Sequence, residues 1–129
     1  MDESLIYIKM SDCPEMQEGW TPQLGDFCCE GDMVFPIVNI RALKEEIANG
    51  EHIIFLRRQD QLQDMVYKPE IIEGDYYPVA RMLHEFHLFI KENRKWDTAS
   101  MEQLWLAFVM HELHGKAWSA EKELWILPS

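Results

Sequence analysis

Nowhere in this 129-residue chain does an apolar run reach the length of a transmembrane helix. Basic residues are scarce: 12 Lys and Arg stand against 23 Asp and Glu, a formal charge of -11. A fold this acidic is repelled by nucleic acid backbones and anionic membranes, so direct nucleic acid binding is not expected. There are only three cysteines, Cys13, Cys28 and Cys29. Their odd number and irregular spacing argue against a disulfide framework. The opening "MDESLIYIKM" has no basic segment before its apolar residues, so no signal peptide is expected. A soluble protein of a reducing cytoplasm is the simplest setting. There is no Gly-rich phosphate loop; Gly19, Gly25 and Gly31 stand apart as turn residues. Repeats and Ser/Gly-rich linkers are absent too, so residues 1–129 read as a single domain. Nothing in the chain calls for a cofactor.

What is present suffices for a core. Hydrophobic residues make up 47% of the chain and five are Trp, so no metal or disulfide staple is required. "SLIYIKM" alternates and reads as a strand. "DFCCEGDMVFPIV" places two β-like runs around Glu30-Gly31-Asp32, a hairpin, with Pro36 assigning the second run to an edge. Alternation predicts one of Cys28 and Cys29 facing inward and the other outward. Asn39 caps a helix that ends at Asn49-Gly50. "HIIFLR" is a buried strand, and "DQLQDMV" a short helix with Asp60 as its cap and Leu62, Met65 and Val66 inward. "KPEIIEGD" is a loop. From Pro78, a helical stripe runs through Val79, Met82, Leu83, Phe86, Phe89 and Ile90. Ser100 and Gln103 have capping-box spacing at the start of a second helix, which Gly115 ends. That helix presents Met101, Trp105, Phe108 and Val109 inward and Ala107 toward its wetter side. "KAWSAEKELWIL" reads as a terminal hairpin. The fold expected is α+β, a small and mainly antiparallel sheet with a C-terminal pair of helices packed on it.

Three groups of residues invite a chemical reading. His84 and His87 in "HEFH", and His111 and His114 in "HELH", are spaced three apart. Four histidines on antiparallel helices would suit a metal-dependent enzyme. The zinc-protease helix, however, needs ligands four apart, and a turn of about 100° per residue sends His111 and His114 to opposite sides of the inner stripe. No shared metal is expected. Arg57 and Arg58 form a small basic island at a strand end, suited to a nucleotide-like ligand. Carboxylates crowd the middle of the chain, and the segment from Glu45 to Asp75 combines charge with loops. Within it Glu70, Glu73 and Asp75 are candidate contacts for a protein partner with a basic surface.

"GWTPQLGDF", "FLRRQDQLQDMV" and "SMEQLWLAFVMHELHGKAWSAEKELWI" together resemble a family of small proteins encoded by phages and prophages of Gram-positive bacteria. The resemblance covers Trp20 to Phe27, Leu56 to Val66 and Ser100 to Ile126. In that family a Pro commonly stands where this chain has Arg57, and the positions of His111 and His114 vary. The family supplies no catalytic residues to carry over. It implies an accessory protein of a phage or prophage, at work in the bacterial cytoplasm. The expected function is therefore non-enzymatic protein binding, with a host defence component as one candidate partner.

Overall fold

The computed structural model describes residues 1–70 and 77–128. Two short runs of β-forming residues flank Gly31-Asp32 and pair as a hairpin, β1 (Phe27–Glu30) and β2 (Met33–Pro36). Gly31 supplies the positive φ (64°) that a two-residue loop needs. Strand β3 (Ile53–Leu56) pairs with the other side of β1, giving an antiparallel sheet of order β2-β1-β3. Pro36 thus lies on an edge strand, as its missing N–H requires. Between β2 and β3 runs α3 (Ile40–Ala48), whose N-cap Asn39 accepts a hydrogen bond from the Ala42 amide at 3.1 Å.

Both faces of this small sheet are covered. Cys29, Ile54 and Leu56 join the main core, while Cys28 packs with Ile37, with Leu43 of α3 and with Phe35. The Trp20 ring stacks on Phe55, with centroids 4.6 Å apart and planes 3° from parallel. The expectation that one of the adjacent cysteines faces outward is therefore corrected. Alternation does send them to opposite faces, but α3 covers the second face and both thiols are buried.

The main core is built around α6 (Met101–His114), capped by the Ser100 hydroxyl and ended by Gly115 in the left-handed conformation. All seven residues from Leu104 to Met110 are buried. This overturns the reading of Ala107 as a wet position and of Met101 as an inner one, since Met101 is 44% exposed. A helix surrounded on all sides has no polar stripe. Its neighbours are α4 (Gln59–Val66), α1 (Leu5–Ser11), α5 (Pro78–Glu92) and the hairpin of β4 (Ala117–Ser119) and β5 (Leu124–Ile126). Phe86 of α5 stacks on Trp105 with centroids 3.7 Å apart, and Trp118 sits opposite Trp125 across the hairpin.

Three further expectations are corrected. "SLIYIKM" is a helix, α1, not a strand; Ser4 accepts the Tyr7 amide and Tyr7, Ile8, Met10 and Ser11 are buried. On α5 the inward face is Met82, Phe86 and Phe89 with Arg81, whereas Val79 and Leu83 are exposed. Arg58, not Asp60, is the N-cap of α4, and its amide donates to Gln61 Oε1 at 2.8 Å. The loop "EGWTPQLGD" is preceded by a single helical turn, α2 (Pro14–Gln17), with Pro14 in its first position. The loop expected at "KPEIIEGD" runs into residues 71–76, outside the described ones.

Candidate functional site

Arg57 and Arg58 follow β3 directly, where the chain turns into α4. The Arg57 guanidinium lies over the Phe55 ring, 4.9 Å from its centroid, and Nη2 donates to the Met16 carbonyl at 3.2 Å. Burial pushes its pKa down from the ordinary arginine value. Its carbonyl accepts the buried Tyr7 hydroxyl at 2.6 Å. Arg58 donates to the Gly25 carbonyl at 3.1 Å and to Asp60 Oδ1 at 3.1 Å, and its Nη1 is 3.5 Å from Asp26 Oδ1. The two arginines are thus tied into the fold instead of extending into solvent as a phosphate fork.

The centre of that network is Asp26, only 3% exposed, a residue that sequence reasoning did not single out. Its Oδ1 accepts from Gln61 Nε2 at 2.9 Å, and its Oδ2 from Trp20 Nε1 at 3.2 Å and from the Gln23 amide at 3.0 Å. A buried carboxylate needs this many donors to offset its lost hydration. A lone Asp before a strand carries no signal of such partners. The three segments that carry the sequence resemblance meet here and next door. Trp20 and Asp26 join Arg58 and Gln61, and α4 packs along α6.

The histidines do not assemble either. His84, His87, His111 and His114 are all exposed, and among the described residues no three His, Cys, Asp or Glu side chains are placed to hold a metal. His111 rests against the Phe89 ring, with centroids 5.2 Å apart. Burial pushes the Cys13 thiol up to about 11 and the Cys28 thiol up to about 12, and raises Cys29 as well. A nucleophilic cysteine needs the opposite shift, so these thiols stay protonated at neutral pH.

The carboxylates do gather, though not where the sequence suggested. Glu70 is exposed beyond α4, while Glu73 and Asp75 fall outside the described residues. Glu30, at the end of β1, feels the carboxyls of Glu51, which precedes β3, and of Glu46 on α3. The Glu30 pKa is raised, first by the hydrogen bond with the Glu51 carboxyl, then by desolvation and by the charges of Glu51 and Glu46. Among the described residues no ion pair engages these three carboxylates. Beside Glu51 a surface cleft of 430 Å³ is lined by Trp20, Lys44, Ile47 and His52. A spacing argument could not find this group, because Glu30 reaches it through the strand register and Glu46 through the α3 face.

No family model, curated protein or solved structure matches this chain. Among the described residues no helix is long and apolar enough to cross a membrane.

Proposed function

We propose that this chain is a non-enzymatic accessory protein of the phage or prophage type, which binds a protein partner presenting a basic face. One observation carries the reading: the carboxyls of Glu51 and Glu46 act on Glu30 at the surface, and among the described residues no ion pair engages any of the three. Like charges in contact destabilise a fold. Such an arrangement is retained at an advantage when an outside cation relieves it, and a protein surface rich in Lys or Arg supplies that cation. The formal charge of -11 adds a long-range field that steers such a partner inward. The adjoining cleft at Trp20 and Ile47 offers apolar floor beside the acidic rim. Buried, protonated thiols and dispersed histidines support binding over catalysis.

The test is capture from a bacterial host lysate on the immobilised protein, with stepwise salt elution and mass spectrometry. The reading expects a basic protein that elutes as salt rises and is not retained by a Glu30→Lys, Glu46→Lys, Glu51→Lys variant. Retention of the same protein by the triple variant would contradict it.

A further inference from the structure

The two edges of the three-stranded sheet are finished differently. On β3 the outward peptide group of Phe55 is occupied: its N–H donates to Gln17 Oε1 at 2.8 Å and its carbonyl accepts from Gln17 Nε2 at 2.9 Å. Just beyond it the Arg57 carbonyl accepts the Tyr7 hydroxyl. Because Phe55 points away from β1, alternation directs Ile54 and Leu56 toward β1. Their register partners are Cys29 and Phe27, so Cys28 and Glu30 pair with Phe35 and Met33 of β2. Val34 therefore turns its N–H and C=O outward from β2. Pro36 follows in the same outward phase, where its missing N–H costs the ladder nothing.

We propose that the β2 edge is a docking site for an extended, basic segment of a protein partner, which adds to the sheet as an antiparallel fourth strand. The proposal rests on the acidic-surface reading above and gives it a binding mode. Strand addition draws affinity from main-chain hydrogen bonds and specificity from alternate side chains. Here the alternate positions differ in chemistry. Glu30, Met33 and Phe35 share one face of the sheet, and Glu46 lines a 130 Å³ cleft with Phe35, Pro36 and Val38 on that side. Met33 is 64% and Val38 82% exposed beside it. The other face at this edge carries Val34, which packs partly against the main core. On one side an incoming strand meets Met33 and Phe35 with Glu46 beside them, and on the other a valine, which selects a segment alternating β-branched residues with basic ones whose long stems cover the apolar pair and whose charge reaches the carboxylate. A second copy of this chain is disfavoured as the occupant, since pairing β2 with β2 would bring two such acidic groups together.

The probe is a rhodamine-labelled peptide of alternating Lys and Val, with binding read by fluorescence anisotropy and by amide hydrogen exchange of Val34. In antiparallel pairing the residue that exchanges hydrogen bonds with Val34 lies on the same face as Val34, so it is a peptide valine. N-methylation of the valines should weaken binding about tenfold or more, the loss of one or two backbone hydrogen bonds. N-methylation of the lysines points outward and should leave affinity within about twofold of the parent. Val34 exchange should slow on saturation, and Glu46→Gln should weaken the parent peptide. Equal binding of both methylated peptides, unchanged Val34 exchange, or no binding at all overturns the edge proposal. A captured partner that binds salt-dependently without protecting Val34 leaves the acidic-surface reading standing and removes only the edge. Binding insensitive to salt and to the glutamate substitutions removes both.

Discussion

Gln17 closes the β3 edge by presenting its side-chain amide to the Phe55 peptide group as a neighbouring strand would, donating and accepting at 2.9 and 2.8 Å. The same Nε2 also donates to the Ser11 carbonyl at 2.8 Å, so one side chain joins the end of α1 to the sheet. Replacing Gln17 by Ala leaves both groups of a buried peptide unpaired. The expected loss is about 2–3 kcal/mol, read from urea unfolding. The variant should also aggregate more readily, since it gains an open strand edge.

Asp26 accepts three hydrogen bonds and faces the Arg58 guanidinium, its partners coming from its own loop and from the start of α4. Asp26→Ala strands Gln61, Trp20 and Arg58 together, and about 3–5 kcal/mol of stability should go with it. Asp26→Asn keeps one acceptor and should lose less. Denaturant midpoints for the two variants provide the comparison; equal losses would mean that the carboxylate charge carries the whole effect and a neutral acceptor none of it.

Trp105 is 1% exposed and stacked on Phe86, with Phe108 edge-on to both. Truncating Trp105 or Phe108 to Ala should cost about 3–5 kcal/mol. Met101→Ala, at the exposed first turn of the same helix, should change the melting temperature little, within about 0.5 kcal/mol.

The caps of these elements were legible in the sequence because their chemistry is local. Asn39, Ser100, Pro78 and Gly115 act within three or four residues of where they stand. The hairpins at Gly31 and at Trp118 and Trp125 were legible for the same reason. Seven residues of α1 were not, because Leu5 to Ser11 satisfies a two-residue and a 3.6-residue period about equally. Ser4 in capping position was the signal that favoured the helix. On α6 a stripe was sought where burial is all round, which no single-face pattern describes. Asp26 and Gln17 were invisible, since their partners lie as far as 35 and 38 positions away. The acidic group assembled from Glu30, Glu46 and Glu51 depends on register and on helix facing in the same way.

Glu15 and Lys116 form a half-buried ion pair between α2 and the end of α6. The Glu15 pKa is lowered, chiefly by the hydrogen bond from Lys116. A depressed carboxyl contributes stability above its unfolded pKa and loses it as pH falls through the folded value. Lys116→Met should therefore cost about 1 kcal/mol near neutral pH. The difference from the parent should shrink as pH falls through the lowered Glu15 pKa and be gone below it. Thermal melts across that range are the check.

For Glu30 the sign is reversed. Its pKa is raised, so the folded state favours the protonated form and the repulsion grows as pH rises through the ordinary glutamate range and above. Glu51→Gln should raise the melting temperature at neutral pH and leave it unchanged in acid.

On the proposed function, Glu30, Glu46 and Glu51 bring in a basic protein partner. The most direct test is the association rate with the captured partner, measured across a salt series for the parent and for the Glu30→Gln, Glu46→Gln, Glu51→Gln variant. The parent rate should fall steeply as the screening length shortens to about 8 Å at physiological salt. The variant should associate more slowly at low salt and respond less to its increase. A parent rate indifferent to salt, matched by the variant at every concentration, would mean that these carboxylates recruit no partner.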